Sequence, residues 1–269
     1  MSTERSLREL MSLDGRVALV TGGAGHIGRS VANALAELGA GIAIADIATS
    51  GAEETVAALA KFPVKAAAFA CDFEQPAAVR EMPRRVREKF GRIDILVNCA
   101  AFVGTSGLEG WAVPFEQQSP ETWRRALEVN LTAPFVLVQA AAEDLAASGH
   151  GSVINIASIY GLAGPDWRLY EGTDLGNPAA YAASKGGLIQ MTRWLATTMA
   201  PKVRVNAIAP GGVFRNTQEP FLGRYISRTP LARMATEEDF KGAVAYLASD
   251  LSAYVTGQCL AVDGGWTAW

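Results

Sequence analysis

Short runs of apolar, β-favouring residues alternate with stretches of helical spacing along the whole chain. Val17–Val20 is the first such run, bounded by Gly15 and by Thr21-Gly22-Gly23. Ile27, Val31, Ala34, Leu35 and Leu38 then recur at helical intervals, and Gly39 ends that helix. The alternation continues with a strand over 41–45, a helix over 51–60, a strand over 64–70 and a helix over 76–90 with Pro76 in its first turn. A fourth strand covers 93–97, and a polar, Gly-rich loop follows from about 102 to 119. Ser119-Pro120-Glu121 reads as a helix start, with Ser as cap, Pro at the first position and an acid in the first turn. That helix is expected to run to about 147 and to bend at Pro134. A strand over 153–157, a helix over 179–199, a strand over 203–207, a helix opened by Thr236 and Asp239 as a capping box, and a strand over 258–262 complete the pattern.

Strands that are apolar on both faces, each followed by a helix, predict an α/β fold. The expectation is one doubly wound, Rossmann-type parallel sheet of about seven strands with helices on both faces. No linker or internal repeat divides the chain. We therefore read residues 1–13 as an N-terminal extension and 14–269 as a single domain holding cofactor, catalytic and substrate segments together.

Composition narrows the function classes. Apolar residues make up 49% of 269, enough for a large core, and the net charge of -3 argues against a broad basic face for nucleic acid. Three scattered cysteines, Cys71, Cys99 and Cys259, form no CxxC pair and suggest reduced thiols and a cytoplasmic protein. The N-terminus mixes both charges without an apolar core, unlike a signal peptide, and no stretch suits a membrane span. With only His26 and His150, neither a His-rich metal site nor a Ser-His-Asp triad is expected.

Two motifs carry chemistry. Thr21 to Gly28 joins the first strand to the first helix with glycines at 22, 23, 25 and 28. Such a turn lets backbone approach a pyrophosphate, which the helix N-terminus then favours. Asp46, 18 residues beyond Gly28 at the end of the second strand, suits ribose hydroxyls and repels a 2′-phosphate. Gly25 and Ile47 offer no cation for that phosphate, so NAD is expected and NADP is disfavoured. Asp46 as a cap of the following helix is the alternative. The second motif is Tyr181-Ala-Ala-Ser-Lys185, which places a phenol and an ammonium on one helix face. A nearby Lys⁺ favours the phenolate, so Tyr181 is expected to titrate below its ordinary range and to serve as an acid/base.

With Asn98 after the fourth strand, Asn130 in the long helix and Ser158 after the fifth strand, these motifs stand in a familiar order. From about Asp14 to Trp269 the sequence resembles the single-domain branch of the short-chain dehydrogenases/reductases. The resemblance implies an enzyme, an NAD(P)-dependent oxidoreductase acting on CH–OH groups, with roles assigned as follows. Tyr181 is the acid/base, Lys185 binds nicotinamide-ribose hydroxyls and tunes Tyr181, Ser158 holds the reacting oxygen, and Asn130 holds a relay water. Gly22, Gly25, His26, Ile27 and Gly28 cradle the pyrophosphate. Asp72 and Phe73 lie by the adenine, and Asn98 and Ala100 brace the sheet beside the cofactor. Pro210, Gly211 and Val213 begin the segment beside the nicotinamide. The sequence departs from the family pattern at three places: His26 stands where the turn usually has Gly, Asn98-Cys99-Ala100-Ala101 replaces NNAG, and Arg215 stands where Thr is common.

Ser158 and Tyr181 are 23 residues apart, a long interval for this family. The extra segment, about 162–178, and the segments 213–228 and 102–117 hold polar and aromatic residues. Arg168, Tyr170, Phe214 and Arg215 are candidates to contact substrate, with Trp111 and Phe115 from the third loop and Arg224 as a further cation. These residues suit a small polyhydroxylated or hydroxy-acid alcohol or its ketone. There is a weaker resemblance to members linked to bacterial sugar and surface-glycan metabolism. The alternatives are a non-catalytic nucleotide-binding protein on the same fold, or a sugar-nucleotide epimerase or dehydratase. The family also implies a homo-oligomer, a dimer or tetramer, while charge, hydropathy and the scarcity of histidine argue against a nucleic-acid, membrane or metal partner.

Overall fold

The computed structural model describes residues 4–269; Met1–Thr3, the start of the polar N-terminal stretch, lie outside them. Seven strands, β1 (Val17–Thr21), β2 (Gly41–Asp46), β3 (Ala66–Ala70), β4 (Ile95–Asn98), β5 (Gly151–Ile156), β6 (Val203–Pro210) and β7 (Cys259–Val262), form one sheet. Every pair in it is parallel, in the order β3-β2-β1-β4-β5-β6-β7. The helices are α1 (Leu7–Met11), α2 (His26–Glu37), α3 (Thr49–Ala58), α4 (Pro76–Phe90), α5 (Pro120–Leu127), α6 (Ala133–Ala147), α7 (Ala179–Met199), α8 (Phe221–Arg228) and α9 (Lys241–Ala248).

Alternation along β1 shows why the strands read as apolar on both faces. Val17 and Leu19 enter a core with Val79, Met82 and Val86 of α4, Leu137 of α6 and Leu195 of α7. Ala18 and Val20 enter the opposite core with Val31 and Leu35 of α2, Ala52 of α3 and Val244 of α9. The expected doubly wound parallel sheet is therefore the fold. Its order turns back between β1 and β4, so loops leaving their carboxyl ends diverge and open a crevice there.

Several boundaries differ from expectation for local reasons. The strand expected from 64 begins at Ala66, because Val64 N–H closes a tight turn onto the Phe62 carbonyl. β6 runs three residues past Ala207, because Ile208–Pro210 pair with β7. The long helix after Ser119 is not continuous. Glu128–Thr132 forms a π-helical turn, in which the Ala133 N–H reaches back to the Glu128 carbonyl. Pro134 has no N–H to give to the Asn130 carbonyl, so the irregularity precedes the proline and falls on Asn130.

Residues 4–13 are fastened to the sheet rather than trailing from it. Ser6 and Glu9 form a capping box on α1, Arg5 and Arg16 both pair with Asp250 at 2.7 Å, and Leu13 is fully buried. The segments 162–178 and 213–228 and the C-terminus form a small core of their own over the end of β5. Ile159, Leu169, Phe221, Tyr225, Met234 and Trp266 make it up. α8 belongs to this core. It was legible only as a loop of mixed residues, yet Phe221 and Tyr225 at i and i+4 form its buried face. No helix among the described residues is long and apolar enough to cross a membrane.

Candidate active site

The crevice is a cleft of about 1240 Å³ over the carboxyl ends of β1, β4, β5 and β6. The turn after β1 lines one end. Gly22 adopts φ +65°, and a Cβ there would sit 2.7 Å from Ala100 Cα; a Cβ at Gly28 would sit 2.2 Å from the Gly22 carbonyl oxygen. Both glycines are therefore required by close approach. Gly25 precedes α2 without a side-chain cap, and α2 has no acid in its first turn. The helix dipole and its leading amides thus remain available to an anion. Gly22, Gly25, His26, Ile27 and Gly28 all line the cleft.

Asp46 is 8% exposed at the end of β2. Its Oδ2 accepts the Ala24 N–H and its Oδ1 the Ala48 N–H, each at 2.9 Å. The carboxylate therefore ties two loops together and keeps lone pairs directed at the cleft it lines. Arg29 is held by the Ala24 carbonyl and by Glu54, and is not part of the lining. Asp72, Phe73, Ala100, Pro210, Gly211 and Val213 also line the cleft. Asn98 lies beneath the surface. Its amide donates to Asn155 Oδ1 at 2.8 Å, and Asn155 donates to Thr192, binding β4, β5 and α7 into one polar chain. An anion-ready helix start, a glycine cradle and a carboxylate at the β2 end fit a dinucleotide.

Ser158 follows β5 in extended backbone, and its Oγ accepts the Tyr160 N–H at 3.2 Å, which leaves its own proton to give elsewhere. Tyr181 and Lys185 share one face of α7. The Lys185 ammonium lies 5.7 Å from the Tyr181 ring centre and donates to the Ile156 carbonyl at 2.8 Å. Lys185 is buried, and burial lowers its pKa to about 8. The Tyr181 phenol, expected low, is instead held above its ordinary range. Burial outweighs the lowering by the Ser158 hydroxyl beside it. Asn130 does not line the cleft. Its Oδ1 accepts the Phe102 N–H at 2.7 Å, and its Nδ2 donates to the Phe102 carbonyl and to Ser184 Oγ. The side chain therefore clamps the β4 loop and α7 from behind.

On the substrate side, Tyr170 and Arg215 line the cleft, whereas Arg168 and Phe214 do not. Asp166 two residues away captures Arg168 bidentately at 2.8 and 2.7 Å on the outer surface. Phe214 is 48% exposed. Arg224 donates to the Glu171 carbonyl outside the cleft. Trp111 is buried against Ala126 and Ala180 and donates to the Val103 carbonyl; Phe115 faces solvent. Arg215 is paired at 3.3 Å with Glu237, which also lies 3.8 Å from His26 Nδ1. Sequence reasoning placed Asn177 and Tyr225 only in the 162–178 and 213–228 segments, without a contact role of their own, and passed over Tyr160 and Met234. Tyr160 lies two residues after Ser158 and Asn177 directly before the Pro178 that opens α7, so proximity to motif residues was the available signal.

Comparison with known proteins gives the family. A family model described as Enoyl-(Acyl carrier protein) reductase matches residues 22–267. The cis-4-hydroxycyclohexanecarboxylate dehydrogenase of Sinomonas cyclohexanicum is 33% identical, over 94% of this chain and 97% of its own. The D-threitol dehydrogenase of Mycolicibacterium smegmatis is 35% identical, over 95% and 94%. A short-chain type dehydrogenase/reductase from Mycobacterium marinum superposes with a TM-score of 0.86 at 31% identity, over 98% of this chain and all of that one. The chain belongs to the short-chain dehydrogenase/reductase family, whose oxidoreductases act on CH–OH groups.

Proposed function

We propose that this protein is an NAD-dependent dehydrogenase that interconverts a small secondary alcohol and its ketone. The observation that carries the reading is the convergence of Ser158, Tyr181 and Lys185 in one cleft with the α2 turn and Asp46. Family membership covers both nicotinamide cofactors; a buried carboxylate at the β2 end, followed in the lining by the uncharged Ile47 and Ala48, supports NAD.

When bound, the nicotinamide accepts the carbinol hydride, two electrons and one hydrogen, or returns it in reduction. Tyr181 Oη takes the hydroxyl proton in oxidation and gives it back in reduction. Ser158 Oγ–H donates to the same reacting oxygen, its proton being free while one of its lone pairs accepts the Tyr160 amide. Lys185 spends one proton on the Ile156 carbonyl and keeps two donors for ribose hydroxyls. Asn130 positions this set by clamping the β4 loop to α7, and its carbonyl, denied the Pro134 N–H, is a place for a relay water. Because burial raises the Tyr181 phenol, oxidation is expected to speed up as the medium turns alkaline. Exposed Trp123, Phe135 and Trp194 on α5, α6 and α7 support the expected homo-oligomer.

The test is Tyr181→Phe, assayed with NAD⁺ against polyols and cyclic alcohols at 340 nm. Turnover is expected to fall by about 10³-fold or more, within the range general acid–base groups supply, while cofactor affinity by calorimetry stays close to wild type. Turnover near the wild-type level overturns the mechanism.

A further inference from the structure

Beyond the reacting centre, the substrate end of the cleft contains a second polar cluster. Tyr160 and Tyr170 bring their hydroxyls to 2.6 Å. Asn177, 7% exposed, turns its amide nitrogen to both phenols, and its Oδ1 is buried without a hydrogen-bond partner. All three residues line the cleft. Around them pack Phe221, Tyr225 and Trp266, with Tyr170 against Phe221 at 5.2 Å and Tyr160 edge-on to Trp266 at 6.0 Å. The cluster therefore sits in largely apolar surroundings, where a polar atom left unpaired carries the full cost of its lost hydration.

The inventory of donors and acceptors indicates what would complete it. The tyrosine pair has two hydroxyl protons, of which one lies between the two oxygens and the other is left to give. Asn177 Oδ1 is an acceptor left to fill. The Asn χ2 torsion is broad, so the amide can turn its oxygen toward an arriving group without backbone movement. One free donor beside one free acceptor is complementary to an alcohol hydroxyl, which accepts and donates at once. It is not complementary to a carboxylate, which only accepts. Burial also keeps both phenols protonated, by raising Tyr160 far above its ordinary range and Tyr170 above its own. The neighbouring cations are committed elsewhere: Arg168 and Arg228 to Asp166, Arg224 to the Glu171 carbonyl, and Arg215 to Glu237.

We propose that Tyr160, Tyr170 and Asn177 form a specificity subsite for a second hydroxyl of a neutral substrate, so that the enzyme selects diols and polyols over mono-alcohols and over carboxylate-bearing alcohols. The inference rests on the dehydrogenase reading above and deepens it. Of the three residues, only Tyr170 was expected to touch substrate. The 162–178 segment, which supplies Tyr170 and Asn177, then has a selective function.

The test compares kcat/KM with NAD⁺ for cyclohexanol, the cyclohexane-1,2-, 1,3- and 1,4-diols, 4-hydroxycyclohexanecarboxylate and linear tetritols, in wild type, Tyr170→Phe and Asn177→Leu. In wild type, at least one diol or tetritol is expected to exceed both cyclohexanol and the hydroxy acid by about tenfold or more, the range one satisfied polar contact gives. In each variant that diol-to-cyclohexanol ratio falls several-fold, chiefly through KM. Loss of folded enzyme would lower kcat for both alcohols alike and leave the ratio intact, so the ratio isolates the subsite. A ratio unchanged in both variants, or a wild type that prefers the hydroxy acid, overturns the subsite and leaves the dehydrogenase reading standing. Silence toward every alcohol by a wild type that still binds NAD⁺ overturns that reading, and the subsite with it.

Discussion

Asp46 has a structural role and, in the proposed function, a recognition role as well. Its two oxygens hold the Ala24 and Ala48 amides, so it braces the two loops, whereas α3 starts at Thr49 without a side-chain cap and the helix-cap alternative is not what the structure shows. Replacement by Ala removes both contacts and the negative charge. Hydrogen bonds to a charged group contribute about 1.5–3 kcal/mol, so Asp46→Ala is expected to weaken NAD⁺ binding by about tenfold or more. It is also expected to narrow the preference for NAD⁺ over NADP⁺. Calorimetric titration of both cofactors checks this, and tighter binding of NADP⁺ by the wild type would contradict the NAD assignment. Arg168 shows the opposite outcome at this scale. Its guanidinium suited an anionic substrate on paper, but Asp166 at i−2, joined by Arg228 from α8, binds a charge that the sequence displays as free.

At the scale of elements, the catalytic helix and the turn before α2 were legible because their signals are local. Pro178 and the 3.6-residue period place α7 at 179–199, and the glycines after a β run place the turn. The break at Glu128–Thr132 was not. A proline marks where an N–H is missing, but whether the chain bends, unwinds or inserts a residue depends on what packs against it. Here the β4 loop and α7 meet the break through Asn130, whose amide makes three hydrogen bonds. At about 1 kcal/mol net for each, more where a buried partner is left unpaired, Asn130→Ala is expected to destabilise the fold by about 3–5 kcal/mol. Urea unfolding checks the magnitude. A loss well under 1 kcal/mol would show that the clamp is dispensable and that Asn130 acts through chemistry alone.

The whole molecule buries acids whose charged forms it disfavours. Burial pushes Cys71 and Cys99 up to about 11, Tyr225 up to about 12, and Tyr160 further still. Each is raised above its unfolded value, so the stability it contributes is fully present below about pH 9 and is lost as pH climbs through the folded value. Lys185, lowered to about 8, acts in the opposite sense between about 8 and 10.5, but it is one group against four. The melting temperature is therefore expected to fall steeply between about pH 9 and 12, measured by calorimetry at constant ionic strength. A flat profile over that range would show these groups to be hydrated in the folded state. The gain in oxidation rate toward alkaline pH should accordingly end where the fold begins to fail.

The strand–helix alternation, the two-sided parallel sheet, the glycine turn, Asp46 and the Ser-Tyr-Lys set were legible in the sequence alone. Each is written in a short local motif or in the apolar faces that drive burial. The extra segments were visible as surplus polar and aromatic residues without a direction. Only tertiary structure decided that Arg168, Phe214, Trp111 and Phe115 turn away from the cleft while Tyr160, Asn177 and Tyr225 enter it. Side-chain aim in those segments is set by a satellite core drawn from residues 159 to 266, where Trp266 and α8 pack over the 162–178 segment. No local period encodes contacts over such separations; they follow from which apolar side chains the folded sheet brings within reach.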